Sequence, residues 1–150
     1  PLSAICGRRD IMEDIKPGAV AHAGTYNSNP LSVKAVLVTL KDILTEKEYV
    51  RLCELGARLA KGYEHIVSDT GLNARVQWKG LSKTLMFTDR EVIDWRSFQQ
   101  TQTGKWLAYW ITMLNRGVIP DGTGPDEQWT ISVQHTTDEL DRHFAAFEAL

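Results

Sequence analysis

One short polar segment, His22–Leu31, carries residue types that can hold a phosphate group. Gly24 and Thr25 open a turn whose backbone N–H groups and threonine hydroxyl can all donate hydrogen bonds to an anion. Asn29 is suited to cap a following helix, and Pro30 suits the first helical position because an N–H there would be unpaired. The same residues also fit an ordinary capped loop, so the segment by itself leaves both interpretations open.

The other side chains form no recognisable catalytic or metal-binding motif. The four histidines are too scattered to suggest a metal site, and His65 and His143, which lie on predicted helices, are expected to be surface or packing residues. No G-x-S-x-G motif, Walker loop or pair of inward-facing carboxylates is found. A Ser-His-Asp triad stays open because its members need not be close in sequence. The residues therefore predict a phosphate-binding turn and identify no catalytic group.

No lysine stands out as a residue that would form an imine with a carbonyl compound. Lys34 and Lys41 lie on a predicted helix, whereas Lys79 and Lys83 flank a predicted turn. Lysine side chains at such positions are usually solvated. All four are therefore expected to be exposed.

The composition excludes several classes of function. The 150 residues are 43% hydrophobic and 24% charged, which is typical of a globular protein with a hydrophobic core. The formal net charge of -2 gives no electrostatic reason to expect a nucleic acid or an anionic membrane as a partner. No apolar run approaches the ~20 residues that span a bilayer. The only cysteines, Cys6 and Cys53, form no C-x-x-C pair, so a reducing, cytoplasmic setting is expected.

Hydrophobic spacing predicts an α/β chain that begins with a short strand over Leu2–Ile5 and a short helix over Asp10–Ile15. A longer helix follows Asn29, and its apolar residues extend around more than one side, so it is expected to be covered on more than one side. Thr45–Glu48 matches a capping box and predicts the start of another helix. That helix carries one apolar stripe, formed by Leu52, Leu55, Leu59, Tyr63 and Ile66.

The second half of the sequence predicts a small antiparallel sheet with two helices. Apolar and polar residues alternate over Ala74–Lys79, and Lys83–Phe87 is expected to pair with that strand. Trp129–Val133 alternates in the same way and predicts a third strand. Trp106–Leu114 has helical spacing, and a capping box at Thr136 begins a final helix.

Two connections carry features that the pattern leaves undecided. Trp95 and Phe98 lie on the polar connection Asp89–Thr101, where they either pack against the fold or line a pocket. The segment Asp121–Asp126 is rich in glycine and aspartate and is expected to be a loop.

Three stretches resemble segments of the class III pyridoxal-phosphate-dependent aminotransferases, most closely those of the glutamate-1-semialdehyde 2,1-aminomutase branch. Pro1–Met12 resembles the segment that follows the family's catalytic lysine and glycine run. Ala23–Leu31 resembles the motif A-G-T-x-x-x-N-P-L. The third stretch runs from Met113–Val118 through Ile131–Leu140, and it resembles the family's closing M-L-x-x-G-V and S-x-x-H-T-x-x-(D/E)-(I/L). The order and spacing of these stretches agree with the family, so the resemblance covers essentially the whole chain.

The resemblance implies an α/β fold, namely the C-terminal part of a fold-type I pyridoxal-phosphate-dependent transferase. Residues 1–30 would then be the tail of the large cofactor-binding domain, and residues 31–56 would be the interdomain connector helix region. Residues 57–150 would form the small C-terminal domain, with an α+β fold and a short antiparallel sheet.

The resemblance also implies a homodimer with active sites at the subunit interface, in which Gly24 and Thr25 bind the phosphate of pyridoxal 5'-phosphate held by the neighbouring subunit. The parent enzyme would be an aminotransferase or aminomutase with an amino-acid or amino-ketone substrate. Its Schiff-base lysine would lie upstream of Pro1, so this chain is expected to be inactive alone and to need the N-terminal portion as a partner. No nucleic acid and no membrane are expected among its partners.

The chain departs from the family pattern at Ser3 and Cys6, where the family usually has glycine. Glu127 could correspond to an acidic residue near the mutase active site, or it could be a solvated loop carboxylate. Two other functions compete with the family assignment. One is a non-catalytic α/β interaction module in which the Gly-Thr turn is only a helix cap, and the other is a small stand-alone hydrolase.

Overall fold

The computed structural model describes residues 3–120 and 124–149, which divide between Thr45 and Glu46 into two compact units. The first unit contains α1 (Arg9–Met12), α2 (Pro30–Val38) and a π-helical turn (Thr39–Ile43). The second unit contains α3 (Glu46–Thr70), β1 (Arg75–Lys79), β2 (Ser82–Met86), α4 (Trp95–Phe98), α5 (Thr103–Asn115), β3 (Trp129–Thr130) and α6 (Thr137–Glu148). No helix in the described ranges is long and apolar enough to cross a membrane.

The predicted α/β class with a short antiparallel sheet is confirmed. The domain boundaries expected near residues 30 and 56 stay predictions; α3 is one continuous helix through residue 56. Asp121, Gly122 and Thr123 of the predicted loop lie outside the described residues, as does Leu2 of the predicted first strand.

The first unit holds a capped helix without a buried residue. Asn29 Oδ1 accepts from the N–H groups of Leu31 (3.1 Å) and Ser32 (3.2 Å), so the predicted cap of α2 is confirmed. The prediction that this helix is covered on more than one side is wrong, since Val33 is 45% exposed and Leu37 is 44% exposed. Its apolar residues are spread around the helix, so one neighbouring segment could cover only a part of them.

The first residues form α1 but no strand. Ser3, Ala4 and Ile5 are exposed and have no strand structure, so this part of the predicted strand is wrong. A strand needs a neighbouring backbone to satisfy its N–H and C=O groups, and among the described residues no backbone pairs with these three. The helix α1 is shorter than the predicted range of Asp10–Ile15, and hydrogen-bonded turns follow it.

The sheet of the second unit has the order β1-β2-β3, and both pairs are antiparallel. The predicted hairpin of β1 and β2 is confirmed. Lys83 on the central strand lies opposite Trp78 on β1 and opposite Trp129 on β3. Directly paired residues point to the same face of a sheet, so these three side chains form one row across it. Trp78 at the edge stays 41% exposed, and its indole N–H donates to Glu64 Oε1 at 3.2 Å.

The strand β3 is two residues long, whereas the sequence predicted a strand through Val133. Beyond Ile131, three backbone groups bond to side chains instead of to a strand: the N–H of Ser132 and the carbonyl groups of Val133 and His135. Ser132 N–H donates to His135 Nδ1 at 3.1 Å, and the Arg51 guanidinium donates to the carbonyl oxygens of Val133 and His135, each at 2.9 Å. These bonds replace the strand pairing that a longer β3 would make.

The core of the second unit lies between its sheet and the helices α3, α5 and α6. The predicted stripe on α3 is buried, as are residues on each of the other elements: Leu85, Phe87, Trp106, Tyr109, Met113, Leu140 and Phe147. Gly56 allows α3 to approach the β-hairpin turn, because a Cβ at this position would lie 2.6 Å from the carbonyl oxygen of Gly80. This packing places Tyr63 and Tyr109 side by side in the interior.

Candidate functional site

The predicted phosphate-binding segment is an exposed turn immediately before α2. Asn27 N–H donates to the carbonyl oxygen of Gly24 at 3.0 Å, which closes the turn. Asn29 N–H donates to the carbonyl oxygen of Tyr26 at 3.1 Å, and Ser28 between them has a left-handed backbone with φ 58°. The turn therefore ends where the cap of α2 begins.

The turn offers several hydrogen-bond donors that the fold does not use. Among the described residues, no group accepts from the N–H of Gly24, Thr25 or Tyr26, or from the Thr25 hydroxyl. Grouped free donors of this kind suit a phosphate, which needs several hydrogen bonds to its oxygens. The residues present therefore fit the phosphate end of the cofactor.

The charge around the turn is also compatible with an anion. Between Lys16 and Lys34 the sequence contains no carboxylate, arginine or lysine, so nothing in this stretch would repel a phosphate. A side chain at Gly24 would crowd the turn, because an added Cβ would lie 2.9 Å from Asn27 Oδ1. The role of Gly24 and Thr25 in binding the cofactor stays a prediction.

A second polar arrangement lies in the interior of the second unit, and the sequence did not predict it. The hydroxyl of Tyr63 lies 2.8 Å from that of Tyr109 and also hydrogen-bonds to His143 Nε2. The Tyr63 ring lies 4.7 Å from the Trp129 ring and 5.3 Å from the His143 ring, measured between centroids. His143 is thus half-buried and packs against aromatic rings. Of the two roles predicted for it, surface or packing, the structure shows packing.

Lys83 contradicts the prediction that the lysines beside the hairpin turn are solvated. Its side chain is 1% exposed, and its Nζ has no hydrogen-bond partner among the described residues. The alternation of β2 explains this burial, because Lys83 and Leu85 share the face that is packed against helices. Trp129, which lies opposite Lys83, also has a buried indole N–H without a partner there.

Burial changes the titration of this interior region. Loss of solvation lowers the pKa of Lys83 to about 8, because the ammonium form is unfavourable in an apolar setting. Loss of solvation, then the charges of Lys83 and His135, lower the pKa of His143 to about 4. At neutral pH His143 is therefore uncharged, whereas Lys83 is still mostly protonated.

The remaining histidines do not assemble a metal site. His65 pairs with Asp69 at 3.2 Å on the exposed face of α3, and His135 Nδ1 is engaged by Ser132. Within residues 3–120 and 124–149, no group of three or more His, Cys, Asp or Glu side chains could hold a metal ion.

Trp95 and Phe98 stack on each other with ring centroids 5.3 Å apart. Both also line a shallow groove of about 260 Å³ on the sheet, together with Met86. The two aromatic residues thus pack against each other and also line a groove, the two roles between which the sequence left the choice open. Glu127 is exposed in a turn in which its N–H donates to Gly124, and its proposed substrate-side role stays untested.

The chain is similar in sequence to curated glutamate-1-semialdehyde 2,1-aminomutases. No protein-family model matches the chain. The glutamate-1-semialdehyde 2,1-aminomutase of Thermomicrobium roseum is 35% identical over 147 residues, which are 97% of this chain and 34% of that protein. The protein of the same name from Sorangium cellulosum is 38% identical over 150 residues, which are 97% of this chain and 33% of that protein. The chain thus spans about a third of the length of the curated relatives it matches.

Solved structures share the fold at lower sequence identity. A β-phenylalanine aminotransferase from Variovorax paradoxus matches with a TM-score of 0.83 at 22% identity, over 95% of this chain and 33% of that one. An omega-transaminase from Sphaerobacter thermophilus matches with a TM-score of 0.77 at 24% identity, over 95% and 33% of the two chains. These identities establish the fold alone. The predicted fold, that of the C-terminal part of a transaminase, is confirmed.

Proposed function

We propose that the chain is the C-terminal part of an aminotransferase or aminomutase. The chain belongs to the class III pyridoxal-phosphate-dependent aminotransferases, and it spans about a third of the length of the curated relatives it matches. One observation carries the proposal for the site. The turn at Gly24 and Thr25 presents unused donors at the place in the sequence where the family motif A-G-T-x-x-x-N-P-L occurs.

The role proposed for this turn is to anchor the phosphate of pyridoxal 5'-phosphate. The N–H groups of Gly24, Thr25 and Tyr26 and the Thr25 hydroxyl would donate to the phosphate oxygens. The cofactor, when bound, supplies the electron sink that stabilises negative charge at the reacting carbon. Thr25 and Gly24 take no part in bond making; they hold the phosphate and so fix the position of the ring.

The remainder of the active site would come from residues outside this chain. The catalytic lysine would lie in an N-terminal portion, and the turn would serve the site of the neighbouring subunit in a homodimer. The 150 residues alone would then be inactive. The substrate would be an amino acid or amino ketone, with Glu127 a candidate for contact with it in a mutase.

The proposal can be tested by complementation with the upstream part of a relative. The 150-residue chain would be mixed with the part of the Thermomicrobium roseum protein that precedes its matching segment, where the catalytic lysine is proposed to lie, and the absorbance of enzyme-bound cofactor would be recorded. Assembly should produce the bound-cofactor band, whereas neither part should produce it alone. Sedimentation of the mixture would show independently whether the two parts associate.

Thr25→Ala should then weaken cofactor retention by about 1–3 kcal/mol, since a hydrogen bond to a charged group is lost. The dissociation constant of the cofactor would be measured by equilibrium dialysis. Thr25→Ser keeps the hydroxyl and is the matched control, for which near-wild-type retention is expected. Equal retention by the Ala variant would contradict the role of Thr25. Failure to associate would favour the alternative function, a non-catalytic α/β interaction module in which the turn only precedes a helix cap.

A further inference from the structure

The side chain of Asn27 folds back over Gly24 in the turn that precedes α2. Its Oδ1, Cγ and Nδ2 atoms lie 2.9, 3.2 and 3.5 Å from the point that a Cβ on Gly24 would occupy. The backbone holds this arrangement, because Asn27 N–H donates to the carbonyl oxygen of Gly24 at 3.0 Å. The carboxamide group of Asn27 therefore covers the side of Gly24 from which a side chain would otherwise project.

The two asparagines at the end of this turn are used differently. Asn29 caps α2, since its Oδ1 accepts from the N–H groups of Leu31 and Ser32. The carboxamide of Asn27 has no hydrogen-bond partner among the described residues. A carboxamide carries two N–H donors and one acceptor, and it can turn about its last side-chain torsion. Asn27 thus adds a side-chain donor beside the unused backbone donors of the same turn.

The charge of this part of the chain makes an uncharged donor important. The sequence between Lys16 and Lys34 contains no lysine or arginine, so its residues would have to hold a phosphate by hydrogen bonds from uncharged groups. A hydrogen bond to a charged group contributes more than one between neutral groups. One additional amide donor against Gly24 would therefore contribute measurably to the binding of a phosphate.

We propose that Asn27 is a further phosphate-binding residue, whose side-chain N–H donates to a phosphate oxygen of pyridoxal 5'-phosphate next to the donors of Gly24 and Thr25. This inference rests on the proposed function, which supplies the phosphate. The motif A-G-T-x-x-x-N-P-L does not assign this role, because position 27 is one of its variable positions. The contact also gives a reason for glycine at position 24, since a side chain there would displace the carboxamide.

The test uses the complex of this chain with the preceding part of the Thermomicrobium roseum protein, and pyridoxal 5'-phosphate is the probe. Asn27→Ala should weaken cofactor retention about 10-fold by equilibrium dialysis, because a hydrogen bond to a charged group is lost. Asn27→Asp has nearly the same shape as asparagine but replaces the donor by a carboxylate, so it should weaken retention about 10-fold more than Asn27→Ala. Asn73→Ala and Asn73→Asp are the matched controls, since Asn73 is exposed in the second unit and lies outside the turn. Both should leave retention unchanged.

Phosphorus NMR at saturating cofactor separates a contact with the phosphate from a change in the shape of the turn. A carboxylate beside the phosphate disfavours its dianion, so Asn27→Asp should raise the pH at which the ³¹P resonance of the bound cofactor titrates. Asn73→Asp should leave that pH unchanged. A purely structural effect of Asn27→Asp would weaken retention without moving the titration.

Failure of this inference is distinguishable from failure of the proposed function. If Thr25→Ala weakens retention while both Asn27 variants behave like the Asn73 controls, the inference is overturned and the proposed function stands. Weaker retention by Asn27→Asp with an unchanged ³¹P titration would also overturn the inference. If no cofactor-bound complex forms, both the inference and the proposed function fail.

Discussion

At the scale of single residues, Lys83 places an ammonium group in an interior that is otherwise aromatic and aliphatic. Its pKa is lowered to about 8 from an ordinary value of 10.5, so folding disfavours its charged form. Its charge acts on that of His143, and none of the ion pairs in the part of the chain that the structure describes includes Lys83. The lysine therefore destabilises the fold wherever it is protonated.

Lys83→Met should stabilise the protein by about 2–3 kcal/mol at pH 7, because methionine keeps most of the apolar stem and removes the buried charge. Urea unfolding, followed by circular dichroism, would measure the difference in the free energy of unfolding. Lys79→Met, at an exposed position, should change that free energy by less than about 0.5 kcal/mol. A destabilised Lys83→Met variant would show that Lys83 has a partner that offsets its burial.

The same residue predicts a pH dependence with a definite sign. A lysine whose pKa is lower in the folded state than in the unfolded state destabilises fully below the folded pKa of about 8. That penalty disappears as the pH rises from about 8 to 10.5, so wild-type stability should rise over this window relative to Lys83→Met. The difference between the two proteins at each pH cancels the titration of the tyrosines and other lysines. A difference that is constant from pH 7 to 10.5 would contradict the lowered pKa.

The Gly24–Thr25 turn and Lys83 show which parts of the candidate sites could be predicted from the sequence. The turn is local, since its donors and the Asn29 cap lie within a few consecutive residues. The burial of Lys83 is not local: β2 has to be the central strand, with Trp129 paired on its other side. Nothing in the residues around Lys83 specifies that pairing.

At the scale of elements, the contact between α3 and the hairpin depends on the absence of a side chain at Gly56. Gly56→Ala should destabilise the protein by about 1–2 kcal/mol, because the clash with the Gly80 carbonyl outweighs the gain in helix propensity. Gly104 in α5 is the matched control, since no atom lies within 4 Å of a Cβ built there. Gly104→Ala should be neutral or stabilising by up to about 1 kcal/mol. Thermal unfolding of both variants would measure the two effects. Similar effects at both positions would contradict a specific contact at Gly56.

The start of a helix could be predicted where the sequence contains a recognisable capping motif. Thr136 caps α6 as expected, with its hydroxyl accepting from Asp138 N–H and Glu139 accepting from Thr136 N–H at 2.8 Å. The end of β3 could not be predicted, because alternation continues to Val133 while Arg51, far away in sequence, takes the backbone carbonyl groups. Periodicity describes which side chains could share a face, not which backbone groups are available for pairing.

At the scale of the whole chain, the two compact units differ in how much they bury. None of residues 3–45 is buried, whereas α3, β2, α5 and α6 all contribute buried residues. The class of fold could be predicted from alternating helix and strand patterns together with the family resemblance. The covering of α2 could not, since an apolar pattern does not say which segment lies against it.

Amide hydrogen exchange of the 150-residue chain should reflect this difference. Amides of α2 should exchange within the first minutes. Amides of β2 and of the middle of α3 should exchange only when their whole unit unfolds. Mass spectrometry of peptic peptides would resolve the two groups. Strong protection of α2 in the chain alone would show that it gains cover that the described residues lack.

The bonds from Arg51 to Val133 and His135 also have a consequence for folding kinetics. Each bond joins two residues that are far apart in the sequence, separated by 82 positions for Val133 and by 84 positions for His135. A long loop therefore has to close before these bonds can form. Contacts of such high sequence separation tend to form after the rate-limiting step when a local helix or hairpin provides the nucleus. Arg51→Leu should therefore speed unfolding and leave the folding rate nearly unchanged in a chevron measurement. Arg51 would then act as a latch that delays the opening of the second unit.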